Sequence, residues 1–142
     1  MVAARLHPPE ADSAGGSVAP MRRGGVELFV GTARTPWGPV IAAGLGGVWI
    51  ELLKDTSLRL LPVSPDDARA MLDELKGAKL LQGYRGSAPA DLDAIAATIS
   101  AIGDAALALG PELVSLEINP LLVRGAEIEA LDALAVWQHD EG

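Results

Sequence analysis

Glu117, Asn119 and Asp132 are the residues whose types and spacing could do chemistry in this chain. Residues two apart on a β-strand share a face, so a strand through Glu117-Ile118-Asn119 turns Glu117 and Asn119 the same way. Val114, Leu116 and Ile118 then turn the other way, toward a core. Gly125-Ala126 has the composition of a hairpin turn. If Arg124 opposes Glu127 across it, the same register carried along the hairpin sets Asn119 opposite Asp132. Directly opposed residues share a face, with Cβ atoms about 4.5–5.5 Å apart. One amide oxygen beside one carboxylate, with a second carboxylate next along the face, is a cluster of hard oxygen donors. It suits Mg²⁺ completed by water and nucleotide phosphates. The pattern also describes a hairpin with a few polar residues on its solvent face, and Pro120 is a natural place for a bulge that shifts the register.

Other features carry less. Gly44-Leu45-Gly46-Gly47-Val48 has the glycine content of a phosphate-cradling loop. It leads into a strand-like run rather than a helix and lacks a Gly-Lys-Ser/Thr ending, so a hairpin turn is the simpler reading. Glu51, Lys54 and Asp55 read as a solvated charge group. Glu27 stands in an apolar run between Val26 and Leu28, and a carboxylate there needs a solvent face or a partner.

The elements that must position these residues follow from periodicity. Val18-Ala19-Pro20-Met21, Val26 to Thr32, Val40 to Leu45, Val48 to Leu53 and Ser57 to Val63 are short apolar runs punctuated by Gly and Pro at hairpin distances, hence antiparallel strands. At Ser64-Pro65-Asp66-Asp67 the period changes. Ser64 can cap a helix, Pro65 suits its first turn and the aspartates favour the positive end of its dipole. Ala68, Met71, Leu72 and Leu75 follow at helical spacing, with Gly77 as the stop. A second helix from about Pro89 to Leu109 presents Leu92, Ile95, Ile99, Ile102, Ala106 and Leu109 in steps of three and four. Leu113 to Val123 and Glu127 to Val136 return to strands. Strands, two helices, then strands predict an α+β domain: a mainly antiparallel sheet with two or more helices on one face.

The chain has 142 residues, enough for one core, and 49% of them are hydrophobic. Aromatics are only 4%, so the core should be aliphatic, with Trp37, Trp49 and Trp137 as the large exceptions. No cysteine is present, which excludes disulfides and thiolate metal sites. A net charge of −8 argues against nucleic acid as a partner. No apolar run reaches the length of a membrane span and residues 1–20 lack the apolar stretch of a signal peptide, so a cytoplasmic protein is expected.

Several motifs in fixed order carry a resemblance. They are Gly25-Val26-Glu27-Leu28-Phe29-Val30-Gly31, Gly38-Pro39-Val40, Gly44-Leu45-Gly46-Gly47-Val48, Glu51 with Lys54-Asp55, Arg59-Leu60 with Pro62, Lys79-Leu80-Leu81 with Gly83-Tyr84-Arg85-Gly86, and Glu117-Ile118-Asn119-Pro120-Leu121. Together they resemble the C-terminal part of the ATP-grasp domain of ADP-forming acetyl-CoA and acyl-CoA synthetases, and more distantly the succinyl-CoA synthetase beta subunit. The likeness runs over about residues 17–137, leaving 1–16 as an expected flexible lead-in and 138–142 as a tail. It implies ATP and Mg²⁺ as cofactors. Asn119 and Asp132 match the positions that bind the nucleotide's Mg²⁺, and Glu117 the carboxylate that faces a phosphorylated histidine. Val18, Ala19, Pro20 and Met21 match the segment passing the adenine, while Glu27, Gly46 and Gly47 match positions lining the nucleotide cleft. Ala19 departs from the acidic or amide side chain common at its position, and Leu134 from a frequent Arg. The resemblance implies a ligase joining a carboxylic acid to CoA, with ATP converted to ADP and phosphate. It also implies partners: the remaining ATP-grasp lobe and CoA-binding domains, supplied by another chain or missing. A non-catalytic relic or a regulatory or interaction module is the alternative.

Overall fold

The computed structural model describes the backbone of residues 2–6 and residues 25–45, 55–83 and 89–138 in full. Among these, seven strands form one sheet in which every pairing is antiparallel. The strands are β1 (Val2–Leu6), β2 (Val26–Thr35), β3 (Gly38–Leu45), β4 (Thr56–Leu60), β5 (Leu113–Arg124), β6 (Glu127–Ala130) and β7 (Ala133–Trp137). They run in the order β1-β7-β5-β2-β3-β4, with β6 also paired to β5. Two helices, α1 (Pro65–Asp73) and α2 (Leu92–Ala108), and a short 3₁₀ turn (Ala78–Gln82) complete the α+β domain.

The helices cover one face. Leu28 and Val30 of β2, Ile41, Ala43 and Leu45 of β3, and Ile118, Leu121 and Val123 of β5 pack there against Ala68, Met71 and Leu72 of α1 and Ile95 and Ile99 of α2. Alternation along the strands sends Glu27, Phe29, Glu117 and Asn119 to the opposite, open face. This core is aliphatic, as composition requires, and Trp137 packs against its smaller cluster of Ala106, Leu113, Leu116 and Ala135, but Trp37 takes no part in it. Trp37 is 81% exposed, because it sits at the tip of the β2–β3 hairpin where no layer covers it. Trp137 is half-buried at the end of β7, and Trp49 lies outside the described residues.

Local chemistry sets the helix ends. Ser64 caps α1: its hydroxyl accepts from Asp67 N–H at 3.0 Å while the Asp67 carboxylate accepts from Ser64 N–H at 3.1 Å, a reciprocal capping box. The helix ends at Asp73, short of the expected Gly77. The cause is Asp55, whose carboxylate accepts from the N–H groups of Lys76 and Gly77 at 2.6 and 2.7 Å and draws the chain out of helical geometry. Asp91 caps α2 through Ala94 N–H at 3.0 Å, and its own N–H donates to Gly125 O at 2.9 Å, tying the helix start to the β5–β6 turn. The expected apolar stripe of α2 holds as far as Ala106. Leu109, its final member, is 47% exposed, since it lies beyond the last turn, beside Gly110.

One expectation is overturned at the N-terminus. Residues 2–6 form a strand, β1, paired along its length with β7 rather than a flexible lead-in. The edge of β7 supplies hydrogen-bond partners that the local sequence does not advertise. Residues 7–16 lie outside the described residues.

Candidate functional site

The site is built on β5 and its return partners. The β5–β6 pairing places Arg124 opposite Glu127 and Leu121 opposite Ala130. The β5–β7 pairing resumes the same register with Ile118 opposite Ala133 and Glu117 opposite Leu134. Gly125 makes the turn possible: its φ of +58° is the left-handed region that other residues enter at a cost. Between the two ladders, Asn119 N–H donates to Asp132 O at 3.1 Å and Leu131 N–H to Pro120 O at 3.0 Å. Asn119 and Asp132 therefore face each other, as the hairpin register predicts.

The bulge expected at Pro120 is also present, on one side only. Leu28 pairs with Leu121 and Val30 with Ile118, so Phe29 alone stands against Asn119-Pro120. Toward β6 and β7, Asn119-Pro120 meets Leu131-Asp132, two residues against two, and the register is unbroken. A bulge bends its strand locally and re-aims the side chain it carries. Here that side chain is Asn119.

Glu117, Asn119, Asp132 and Leu134 line one concavity of about 290 Å³. Glu117 and Asn119 are exposed, Asp132 and Leu134 half-buried, and the Oδ1 oxygen of Asp132 is itself buried. The donors are an amide oxygen and two carboxylates, all hard oxygens, so the residues present fit a hard divalent cation. No group of three or more His, Cys, Asp or Glu side chains that could hold a metal ion occurs among the described residues. A cation here would take Asn119 beside the two carboxylates and complete its shell with water or a bound anion.

The other sequence candidates are placed differently. Glu27 is exposed on the open face of β2, opposite Leu122, which answers how a carboxylate sits in an apolar run; it does not line the concavity. Val18, Ala19, Pro20, Met21, Gly46 and Gly47 lie outside the described residues, as do Glu51 and Lys54. Asp55 is not a solvated charge: it is 4% exposed and holds two backbone amides. Its partners stand 21 and 22 residues away, so no local signal could have found the role. Leu134, which the resemblance marks as a departure from a frequent Arg, is a wall of the concavity, directly opposite Glu117 in the register.

Comparison with known proteins fits this geometry. A family model described as an ATP-grasp domain matches residues 1–136. The beta subunit of ADP-forming acetate–CoA ligase I from Pyrococcus furiosus is 39% identical over 131 residues, covering 92% of this chain and 56% of that protein. The chain thus spans little more than half the length of that relative. Two structures of acetyl-coenzyme A synthetase 1 from Ca. Korarchaeum cryptofilum superpose on it. One, with coenzyme A, Ca-AMPCP and HgCl⁺, gives a TM-score of 0.75 at 37% identity, over 80% of this chain and 49% of that one. The other, with coenzyme A and Mg-AMPPCP and with its phosphohistidine segment pointing towards the nucleotide binding site, gives 0.76 at 29% identity, over 97% and 77%. The open-faced antiparallel sheet, the oxygen cluster on its central strand and a match over nearly the whole length agree: this chain belongs to the ATP-grasp domain family.

Proposed function

We propose that this chain supplies the cation- and nucleotide-facing part of the active site of an ADP-forming acid–CoA ligase. The observation that carries this reading is the convergence of Glu117, Asn119 and Asp132 on one concavity of the open face. In it, Asn119 and Asp132 hold the Mg²⁺ of the bound ATP. That cation, when bound, neutralises charge on the phosphates. Glu117 stands across from Leu134 on the same face and meets the histidine that takes up the phosphoryl group. A carboxylate accepting from one imidazole nitrogen fixes the tautomer and favours the charge that develops on the ring. His7 and His139 are the chain's two histidines and neither belongs to a motif, so the reacting histidine comes from elsewhere in the assembly.

The adenine passes Val18, Ala19, Pro20 and Met21, while Glu27, Gly46 and Gly47 line the cleft. The remaining ATP-grasp lobe and the CoA-binding domains complete the enzyme, with CoA and a carboxylic acid as substrates. The net negative charge of the chain, −8, goes with small-molecule rather than nucleic-acid partners. No described helix is long and apolar enough to cross a membrane, which suits a cytoplasmic enzyme.

The test is an assay with ATP, Mg²⁺, CoA and a panel of short and aromatic acids. Turnover is expected only when the chain is combined with a protein carrying the missing lobe and CoA-binding domains. Acyl-CoA formation by the purified chain alone, or none in any combination, would count against this reading.

A further inference from the structure

We infer that Phe29 is a positioning residue for the reacting histidine: its ring, seated on Gly31, forms with Leu134 a slot that holds the imidazole on Glu117. The inference rests on the reading of Glu117 as the carboxylate that meets that histidine. Gly31 stands directly opposite Glu117 in the β2–β5 register, so the two residues share the open face. Glycine puts no side chain there, and Phe29, two residues earlier on the same face, fills the place. A Cβ at Gly31 would come within 2.7 Å of Phe29 Cζ and 3.2 Å of Cε1, so the far edge of the ring lies where a side chain at 31 would stand. Gly31 is buried, whereas Ala33, the next open-face residue of β2, is exposed.

Glu117 is therefore flanked within its own row by two apolar groups, the ring edge from β2 and Leu134 from β7. Positions 31 and 134 lie two strand spacings apart, about 9.5 Å, which admits one flat ring between their apolar groups. The slot is walled across the strands and runs along β5 toward Asn119. Imidazole has two flat faces and a polar rim. With one N–H on Glu117 and its plane confined by the walls, its other nitrogen is directed along β5 to Asn119 and Asp132, where the cation of the nucleotide is held. From there the lone pair of that nitrogen bonds the terminal phosphorus of ATP as the P–O bond to ADP breaks, with the N–H still on Glu117. Such a transfer depends steeply on placement, an error of about 1 Å being worth about 10²-fold in rate.

The experiment is rapid-quench measurement of phosphohistidine in the assembled enzyme, beside calorimetric titration of the purified chain with Mg-AMPPCP. Phe29→Leu removes the ring and Gly31→Ala pushes it off its seat. Each is expected to slow phosphorylation at least about tenfold, with Mg-AMPPCP affinity within about twofold of wild type. The two effects are expected not to add in the double variant, since both empty one slot. Phe29→Tyr, which keeps the ring, is expected to be faster than Phe29→Leu. Circular dichroism establishes that each variant is folded, and the ring resonances of Phe29, the chain's only phenylalanine, report its displacement in Gly31→Ala. A wild-type rate in Phe29→Leu overturns the inference, while a slow Glu117→Gln leaves the reading of Glu117 standing. Should Phe29→Leu not fold, Gly31→Ala with a displaced ring decides in the same way. A loss of Mg-AMPPCP affinity equal to the loss of rate also overturns it, because Phe29 would then serve the nucleotide. Glu117→Gln phosphorylating at the wild-type rate removes the reading of Glu117, and this inference with it.

Discussion

Asn119 and Asp132 are joined through their main chains, the N–H of one donating to the carbonyl of the other at 3.1 Å. Their side chains meet in one concavity, where the backbone register puts them. Either can be replaced without removing that backbone hydrogen bond.

Asp132→Asn and Asn119→Ala should therefore weaken cation binding with little change in folding. A loss of at least tenfold, about 1.4 kcal/mol, is expected for Asp132→Asn, since it removes a charged ligand. Mn²⁺ titration measures the affinity and thermal unfolding the stability. A large fall in melting temperature with unchanged affinity would assign Asp132 to the fold instead.

Glu117→Gln tests the proposed phosphoryl step. In the assembled enzyme it should slow phosphorylation of the histidine by about 10²–10⁴-fold, the usual scale of acid–base assistance. Mg-nucleotide affinity should change far less. Rapid-quench measurement of phosphohistidine against a nucleotide binding curve separates the two, and an equal loss in both would reject the role.

Asp55→Ala should destabilise the domain by about 1–3 kcal/mol, because it leaves two backbone N–H groups without their acceptor. Gly77 belongs to the same junction. A Cβ there would come within 2.2 Å of Leu45 Cδ1 and 3.2 Å of Asp55 Oδ2, so Gly77→Ala must push Leu45 aside and should also destabilise. Urea unfolding measures both; a neutral Asp55→Ala would show that water replaces the carboxylate without cost.

Acid stability should carry the mark of Glu74. Hydrogen bonds from the Arg59 guanidinium, first, and from the Ser57 hydroxyl hold its carboxyl at about 2, well under the ordinary 4.5. A folded-state pKa below the unfolded one stabilises the fold above the unfolded value and loses that contribution as pH falls through the folded one. The Glu74 contribution is thus complete above about pH 4.5 and disappears toward pH 2. Glu74→Gln should flatten the pH dependence of unfolding in that window and leave its slope above pH 6 unchanged. An unaltered acid limb would show that solvent screens this exposed pair fully.

Much of this was legible in the sequence, for physical reasons that differ by element. The hairpin register could be read because Gly125 offers a turn with few alternatives and side-chain direction alternates strictly from it. The α1 start could be read because Ser64, Pro65 and the aspartates act on backbone groups within one turn. What could not be read depends on partners distant in sequence. β1 pairs with β7 from the opposite end of the chain, and Asp55 seeks amides beyond α1. Trp37 was expected inside on composition alone, which says how apolar a residue is and nothing of whether a layer will cover it. The one-sided bulge at Asn119-Pro120 lies between these cases: proline flagged the place, but only the pairing with Phe29 shows on which side the ladder breaks.

β5 is bonded to β2 on one flank and to β6 and β7 on the other, so the strand carrying Glu117 and Asn119 has no free edge over most of its length. Opening its amides to solvent requires breaking two ladders at once, whereas among the described residues β4 pairs with β3 alone. Hydrogen exchange should accordingly be slowest along Leu116 to Val123 and fastest at β4, with or without ligand. A platform of that kind is ordered before anything binds, so the ordering cost of closing the site falls on whatever settles over the open face.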